Sequence, residues 1–221
     1  VLIFKETTMP HFSYQQSVLC AEQVPLSAIA DALGTPCFVY STAALTAAYQ
    51  AYADAFAGRQ TLVCFAMKAN SNLSILQLFA KLGAGFDIVS GGELARALAA
   101  GADPQKIVFS GVGKSQQEIA DALQAGILCF NVESLSELNR INQVASRMGL
   151  VAPISLRVNP NVDAKTHPYI STGLKENKFG IAYEDALAAY VYAAAQPHLQ
   201  VVGIDCHIGS QLTEVQPFVD A

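Results

Sequence analysis

Several residues able to do chemistry in this 221-residue chain stand at the ends of short apolar runs. In Cys64-Phe65-Ala66-Met67-Lys68-Ala69-Asn70 an amine closes such a run. A lysine held at the end of a buried strand loses hydration as a cation, which frees its amine for Schiff-base chemistry. The same placement also suits a lysine that reaches into water along its aliphatic stem. Cys206-His207-Ile208-Gly209-Ser210-Gln211 ends another run. There an imidazole can lie against a flat ring, while the Gly209 amide and Ser210 hydroxyl can hold a phosphate. A strand-end histidine bonded to a loop carbonyl is the plainer alternative.

Three further stretches carry polar groups. Gly85-Phe86-Asp87-Ile88-Val89-Ser90-Gly91-Gly92-Glu93 reads as a strand turning tightly into a helix, with Glu93 in its first turn. It does not meet the G-x-G-x-x-G dinucleotide pattern. Gly111-Val112-Gly113-Lys114-Ser115 has one residue between its glycines and so lacks the spacing of a nucleotide-binding P-loop. Arg157-Val158-Asn159-Pro160 is followed by a long loop from Thr166 to Gly180, a length that is usually functional or disordered.

The elements that must position these groups alternate. Strands are predicted at Leu62–Ala66, Phe86–Val89, Ile107–Ser110, Ile127–Asn131, Ile154–Val158 and Val201–Cys206, apolar on both parities. Helical stripes lie between them or before them: Leu45, Ala48, Tyr49, Tyr52 and Phe56, then Ile75, Leu78, Phe79 and Leu82. Ser115 with Glu118 and Ser134 with Glu137 predict capping boxes. Gly101, Gly126 and Gly149 predict left-handed helix ends. An open doubly wound sheet and a closed barrel both fit this βα alternation. Lys68, Asp87, Ser110, Asn131, Arg157 and His207 each follow a different strand, and only a closed barrel gathers every strand exit around one site. The expected fold is therefore α/β, a (βα)8 TIM-type barrel truncated after about six strands. Residues 36–221 form the incomplete barrel. Residues 1–35 are read as an N-terminal segment belonging to a second β domain, with residues 1–8 as tag or upstream sequence.

Composition sets limits. With 52% hydrophobic and 14% charged residues the chain can bury a large core. A net charge of −5 without a basic cluster argues against nucleic acid as partner. No run is long enough to cross a membrane as a helix, and the first residues make a poor signal peptide. The five cysteines lack CxxC spacing and close histidine pairs, so no metal is expected. Small buried thiols in a reducing compartment are the simplest reading.

Taken in order, these stretches resemble the fold-type III pyridoxal-phosphate-dependent decarboxylases, most closely the branch acting on diaminopimelate. The carrying residues are Phe65–Asn70, Gly85-Phe86-Asp87 with Ser90–Glu93, Arg157–Pro160, His167-Pro168-Tyr169-Ile170-Ser171-Thr172-Gly173 running to Lys178-Phe179-Gly180, and His207–Gln211. The resemblance runs from about Thr35 to the end. It implies an alanine-racemase-like barrel binding pyridoxal 5′-phosphate, with the family's C-terminal β domain absent. Lys68 would be the lysine that condenses with the cofactor, and His207 would face its ring; these two are the implied catalytic residues. Gly209 and Ser210 would belong to the phosphate cradle, and Asp87, Glu93 and Arg157 to the polar network around lysine and ring.

The implied reaction is decarboxylation of the small molecule meso-2,6-diaminopimelate to L-lysine in the cytoplasm. The cofactor ring accepts the electron pair. Some later motifs of the family serve the neighbouring subunit, which implies a homodimer. Those motifs are missing, so a protein ending at Ala221 is expected to hold the cofactor weakly and decarboxylate poorly. Other readings are a related diamino-acid decarboxylase, a non-catalytic cofactor-binding barrel and a regulatory pseudoenzyme. The His167–Gly180 segment speaks against the non-catalytic barrel, and Lys68 with His207 against the pseudoenzyme.

Overall fold

The computed structural model describes residues 11–160, 162, 179–210 and 212–221. Thr166–Lys178, most of the long predicted loop, lies outside them. The chain forms two compact units: Val1–Val63 with Lys81–Gly83, and Cys64–Ala80 with Ala84–Ala221.

In the first unit, β1 (Phe12–Gln15), β2 (Val18–Ala21) and β3 (Val24–Pro25) form an antiparallel sheet in chain order. Gln16 and Ser17 join β1 to β2 with left-handed φ of 49° and 69°, the twist that lets a two-residue hairpin close. Helices α1 (Leu26–Leu33) and α2 (Thr42–Ala55) follow. Ser41 caps α2 by accepting from Ala44 N, and the Glu22 carboxylate accepts from Ser41 Oγ at 2.7 Å and Ala43 N at 2.9 Å. The predicted α2 stripe buries nothing completely, and Tyr52 and Phe56 are exposed. A cleft of about 650 Å³ in this unit, lined in part by His11, Glu22, Tyr40 and Ser41, holds none of the predicted site residues.

The second unit is the βα series. Its strands are β4 (Cys64–Ala66), β5 (Gly85–Ile88), β6 (Ile107–Phe109), β7 (Cys129–Val132), β8 (Ala152–Asn159), the short β9 (Ile181–Ala182) and β10 (Leu199–Asp205). Its helices are α3 (Leu73–Leu82, its last residues grouped with the first unit), α4 (Gly91–Ala99), α5 (Gln116–Ala125), α6 (Leu135–Met148), α7 (Tyr183–Ala194) and α8 (Gln216–Asp220). The parallel strands run β4-β5-β6-β7-β8-β10 in chain order, with β9 attached to β8. A doubly wound sheet must reverse its order at a switch point. This path never reverses, which is barrel topology, and it supplies six of the eight strands of a (βα)8 barrel.

The two faces of this sheet differ, which corrects the expectation of strands apolar on both parities. One parity presents Phe86, Ile88, Ile107, Phe109, Phe130, Val132, Ile154 and Leu156, all fully buried. Each such side chain contributes about 2 kcal/mol by leaving water. Phe65 shares this parity and stacks on Phe79 of α3 at 4.4 Å. The other parity presents Asp87, Asn131, Ser155, Arg157 and Asp205, in register across neighbouring strands.

Helix ends follow the sequence with one exception. Ser115 and Glu118 form the predicted box, and Gly126 and Gly149 end their helices in the left-handed region. Ser134 caps α6 by accepting from Glu137 N, but the Glu137 carboxylate accepts from Glu133 N rather than Ser134 N. Glu137 is not the second half of a box; Lys114 draws it into a buried ion pair. The glycine pair at the start of α4 also has a different cause from the one expected. Neither residue needs a left-handed backbone; a Cβ on Gly91 would stand 2.8 Å from Glu118 Cγ, where the Glu118 carboxylate accepts from Gly91 N. The cysteines are mixed as well: Cys20 and Cys129 are buried, whereas Cys37 and Cys206 are exposed.

Candidate active site

The C-terminal strand ends carry a continuous polar row. Ser155 Oγ donates to Asn131 Oδ1 at 2.7 Å, Asn131 Nδ2 donates to Ser110 Oγ at 3.1 Å, and Ser110 Oγ donates to Asp87 Oδ1 at 2.6 Å. Every donor in this chain points the same way and the chain ends on a carboxylate, so each bond polarises the next. It crosses four neighbouring strands or their exits, β8 to β5.

Arg157 lies on the same face. Its guanidinium pairs with Glu133 Oε1 at 2.8 Å, and the Phe179 ring centre lies 5.5 Å from its Cζ. Asp205 of β10 is the register partner of Arg157. Burial raises the Asp205 pKa above its ordinary value, against the lowering effect of Arg157. The folded state therefore disfavours ionised Asp205. Its cost is fully present above the raised pKa and fades as pH falls towards the ordinary value of 3.8. Asp205→Asn is expected to be more stable than wild type in urea at pH 7, with the gain shrinking towards pH 4. A loss of stability at pH 7 would contradict this sign.

Lys68 sits in a tight turn, Met67–Ala69, directly after β4. Met67 is buried and Lys68 itself is exposed, so of the two placements open from the sequence the turn gives the lysine that reaches into water. Asn70 and Asn72 fix the exit of this turn by accepting from Asn72 N and Ser74 N. His207, half-buried, follows β10. Burial first, then the cations of Arg157 and Lys68, hold its pKa below the ordinary value, while Asp87 and Glu133 pull the other way. The neutral form of its ring is accordingly favoured.

These couplings bear on shape. β4 and β10 are the two ends of the hydrogen-bonded path. Laid flat, six strands would put them about 24 Å apart, too far for Lys68 to act on His207 through solvent. A barrel path turns its end strands towards each other, and the influence of the Lys68 cation on His207 agrees with that. Gly209, with φ of 150°, and Ser210 follow on the same exit, the glycine buried and the serine exposed. Glu93 stands apart from the row: its carboxylate accepts from Val89 N at 2.7 Å at the start of α4. Glu133 and Asp205 were not singled out from the sequence. The alternation Asn131-Val132-Glu133, and the placement of Asp205 two residues before His207, are the period-two signals that mark them. A second cleft of about 390 Å³ lies at the opposite, N-terminal strand ends, around Leu128, Val151 and Gln200.

An amine, an imidazole and a fixed guanidinium at or near the strand exits are groups that a cofactor-using barrel could employ. The sequence model described as the pyridoxal-binding domain of pyridoxal-dependent decarboxylases matches residues 42–221, and the chain belongs to that family. It is 65% identical over 203 residues to a diaminopimelate decarboxylase of Neisseria meningitidis serogroup B, covering 92% of this chain and 49% of that protein. It is 62% identical to the enzyme of the same name from Pseudomonas aeruginosa, covering 96% of this chain and 51% of that protein. A crystal structure of Helicobacter pylori diaminopimelate decarboxylase complexed with L-lysine superposes with a TM-score of 0.86 at 50% identity, over 88% of this chain and 50% of that one. The chain thus spans about half the length of the relatives it matches.

Among the described residues, no helix is long and apolar enough to cross a membrane, and no cluster of His, Cys, Asp and Glu could hold a metal ion.

Proposed function

We propose that the protein carrying this chain decarboxylates meso-2,6-diaminopimelate to L-lysine with pyridoxal 5′-phosphate, as a cytoplasmic homodimer. What supports the reading is the polar row ending on Asp87, the Arg157 guanidinium fixed on the same face, and Lys68 and His207 at the exits of β4 and β10, in a chain 65% identical to a diaminopimelate decarboxylase. Residues 36–221 would be the cofactor-binding barrel and residues 1–35 part of a second β domain.

The donor set fits the cofactor. Lys68 Nζ is exposed at the mouth, where it can reach an aldehyde. An uncharged imidazole on His207 can lie against a pyridine ring without placing a cation on it. Gly209 holds a backbone that residues with a Cβ rarely adopt, so its chain can come close to a phosphate, with the Ser210 hydroxyl alongside. When bound, the cofactor supplies an electron sink for the pair released as the carboxylate departs. The chain's own part is to bind and to orient. Arg157, fixed by Glu133, would offer a positive charge to the bound cofactor, and Asp87, the register partner of Ala66 two residues before Lys68, ends the polarised row. Glu93 would keep the start of α4 in place beneath this network.

The reading is tested with the holoenzyme and a panel of substrates: meso-diaminopimelate, lysine, ornithine and arginine. Release of CO2 and L-lysine from meso-diaminopimelate, at a kcat/KM well above the others, is expected. Preference for another diamino acid would make the protein a related decarboxylase, and cofactor binding without CO2 release a non-catalytic barrel.

A further inference from the structure

We propose that Glu133 is a positioning residue: its carboxylate fixes the Arg157 guanidinium at the barrel mouth, and the buried Lys114–Glu137 ion pair fixes Glu133 in turn. The inference rests on the decarboxylase reading above. Glu133 Oε1 accepts from Arg157 at 2.8 Å and from Gly111 N at 3.2 Å. The backbone N of Glu133 donates to Glu137 Oε2 at 2.8 Å, and the other Glu137 oxygen takes Lys114 Nζ at 2.7 Å. The same ammonium donates to Gly111 O at 2.6 Å and Asn131 O at 2.9 Å. One cation therefore ties the loop after β6 to the end of β7, the two segments that hold Glu133.

Arg157 is confined from a second side. The Phe179 ring stands over it, and a Cβ on Gly180 would lie 2.9 Å from Arg157 O, so the backbone there closes directly on the arginine. A guanidinium carries five donors in a rigid fork, so pinning one nitrogen orients all the others.

As a device for stability the Glu133 pair is poor. The Glu133 side chain is 3% exposed, and its Oε2 has no hydrogen-bond partner among the described residues. Desolvating two charges while leaving one oxygen unsatisfied offsets most of the Coulombic gain. What the pair does provide is a fixed direction for Arg157.

The test compares Glu133→Gln, Arg157→Ala and the double variant in the holoenzyme. Glu133→Gln keeps the size of the side chain and an acceptor for Gly111 N while removing the charge that holds Arg157. Its kcat, measured well below the thermal midpoint of every variant, is expected to fall roughly 10-fold to 100-fold, with KM within about threefold. Titration of the cofactor's absorption band should show the same loss of affinity in Glu133→Gln as in Arg157→Ala. The double variant should be no worse than Arg157→Ala alone, because Glu133 acts through Arg157.

Losses that multiply in the double variant overturn the proposal. So does a Glu133→Gln protein like wild type beside an impaired Arg157→Ala, which leaves the decarboxylase reading standing. If the wild-type holoenzyme releases no CO2 from meso-diaminopimelate, that reading fails, and the cofactor titration still decides this one. Should Glu133→Gln not fold, Glu133→Asp, with the charge kept on a shorter arm, is read in the same way.

Discussion

Lys68→Ala in the holoenzyme is expected to lose decarboxylation by more than about 10³-fold, the scale seen when a covalent catalytic group is removed. It should also lose all cofactor that borohydride can fix to the chain. Lys68→Arg should do the same, because a guanidinium stays protonated and cannot condense with an aldehyde. Among the described residues the competitors are few. The described residues contain three other lysines: Lys81 in the last turn of α3, Lys106 in the turn before β6, and Lys114. The first two lie away from the C-terminal strand ends, and Lys114 already spends its ammonium on Glu137, Gly111 O and Asn131 O. Mass analysis of the borohydride-treated wild type should place the label on the peptide containing Lys68. A label that persists in Lys68→Ala would remove this residue from its assigned place and the functional proposal with it.

The sequence exposes this much because barrel chemistry is periodic. Each strand exit is read as a short apolar run followed by a polar residue; of the six polar residues singled out on that basis, Lys68, Ser110 and His207 lie just beyond β4, β6 and β10, and Asp87, Asn131 and Arg157 lie within the last three residues of β5, β7 and β8. Local signals also report faithfully where the physics is local: Ser115 with Glu118 spans three residues, and the box forms. Glu137 fails for the complementary reason. Its spacing from Ser134 satisfies the same local rule, but a lysine 23 residues earlier in the chain competes for the carboxylate and wins, because both groups are buried and an unpaired charge there would be far more costly than an imperfect cap. Glu133 escaped notice because it lies past the last predicted strand residue and its partner, Arg157, is 24 residues on. The α2 stripe errs in the other direction: helical periodicity predicts a face to bury, but within its own unit nothing covers Tyr52 and Phe56.

Lys114 carries the largest expected effect on stability, even though its loop is only a rejected phosphate-binding pattern in the sequence. Lys114→Met keeps a stem of similar length beside the Phe109 ring and removes the ammonium that lies 5.5 Å from its centre. It leaves Glu137 buried with its charge uncompensated and two carbonyls, Gly111 O and Asn131 O, without their donor. Breaking a buried pair from one side costs about 3–5 kcal/mol, which should move the urea midpoint down by roughly 1–3 M. Lys114→Met with Glu137→Gln removes both charges and keeps an acceptor for Glu133 N, so the double variant should recover about half of the loss, the remainder reflecting the two carbonyls. Additive losses in the double variant would show that the two groups do not stabilise each other, and the clasp between the β6 and β7 exits would then have to be assigned to backbone contacts alone. With the coupling present, Lys114→Met should also weaken cofactor binding, since Asn131, Glu133 and Arg157 are held in place by the segment this one ammonium ties down.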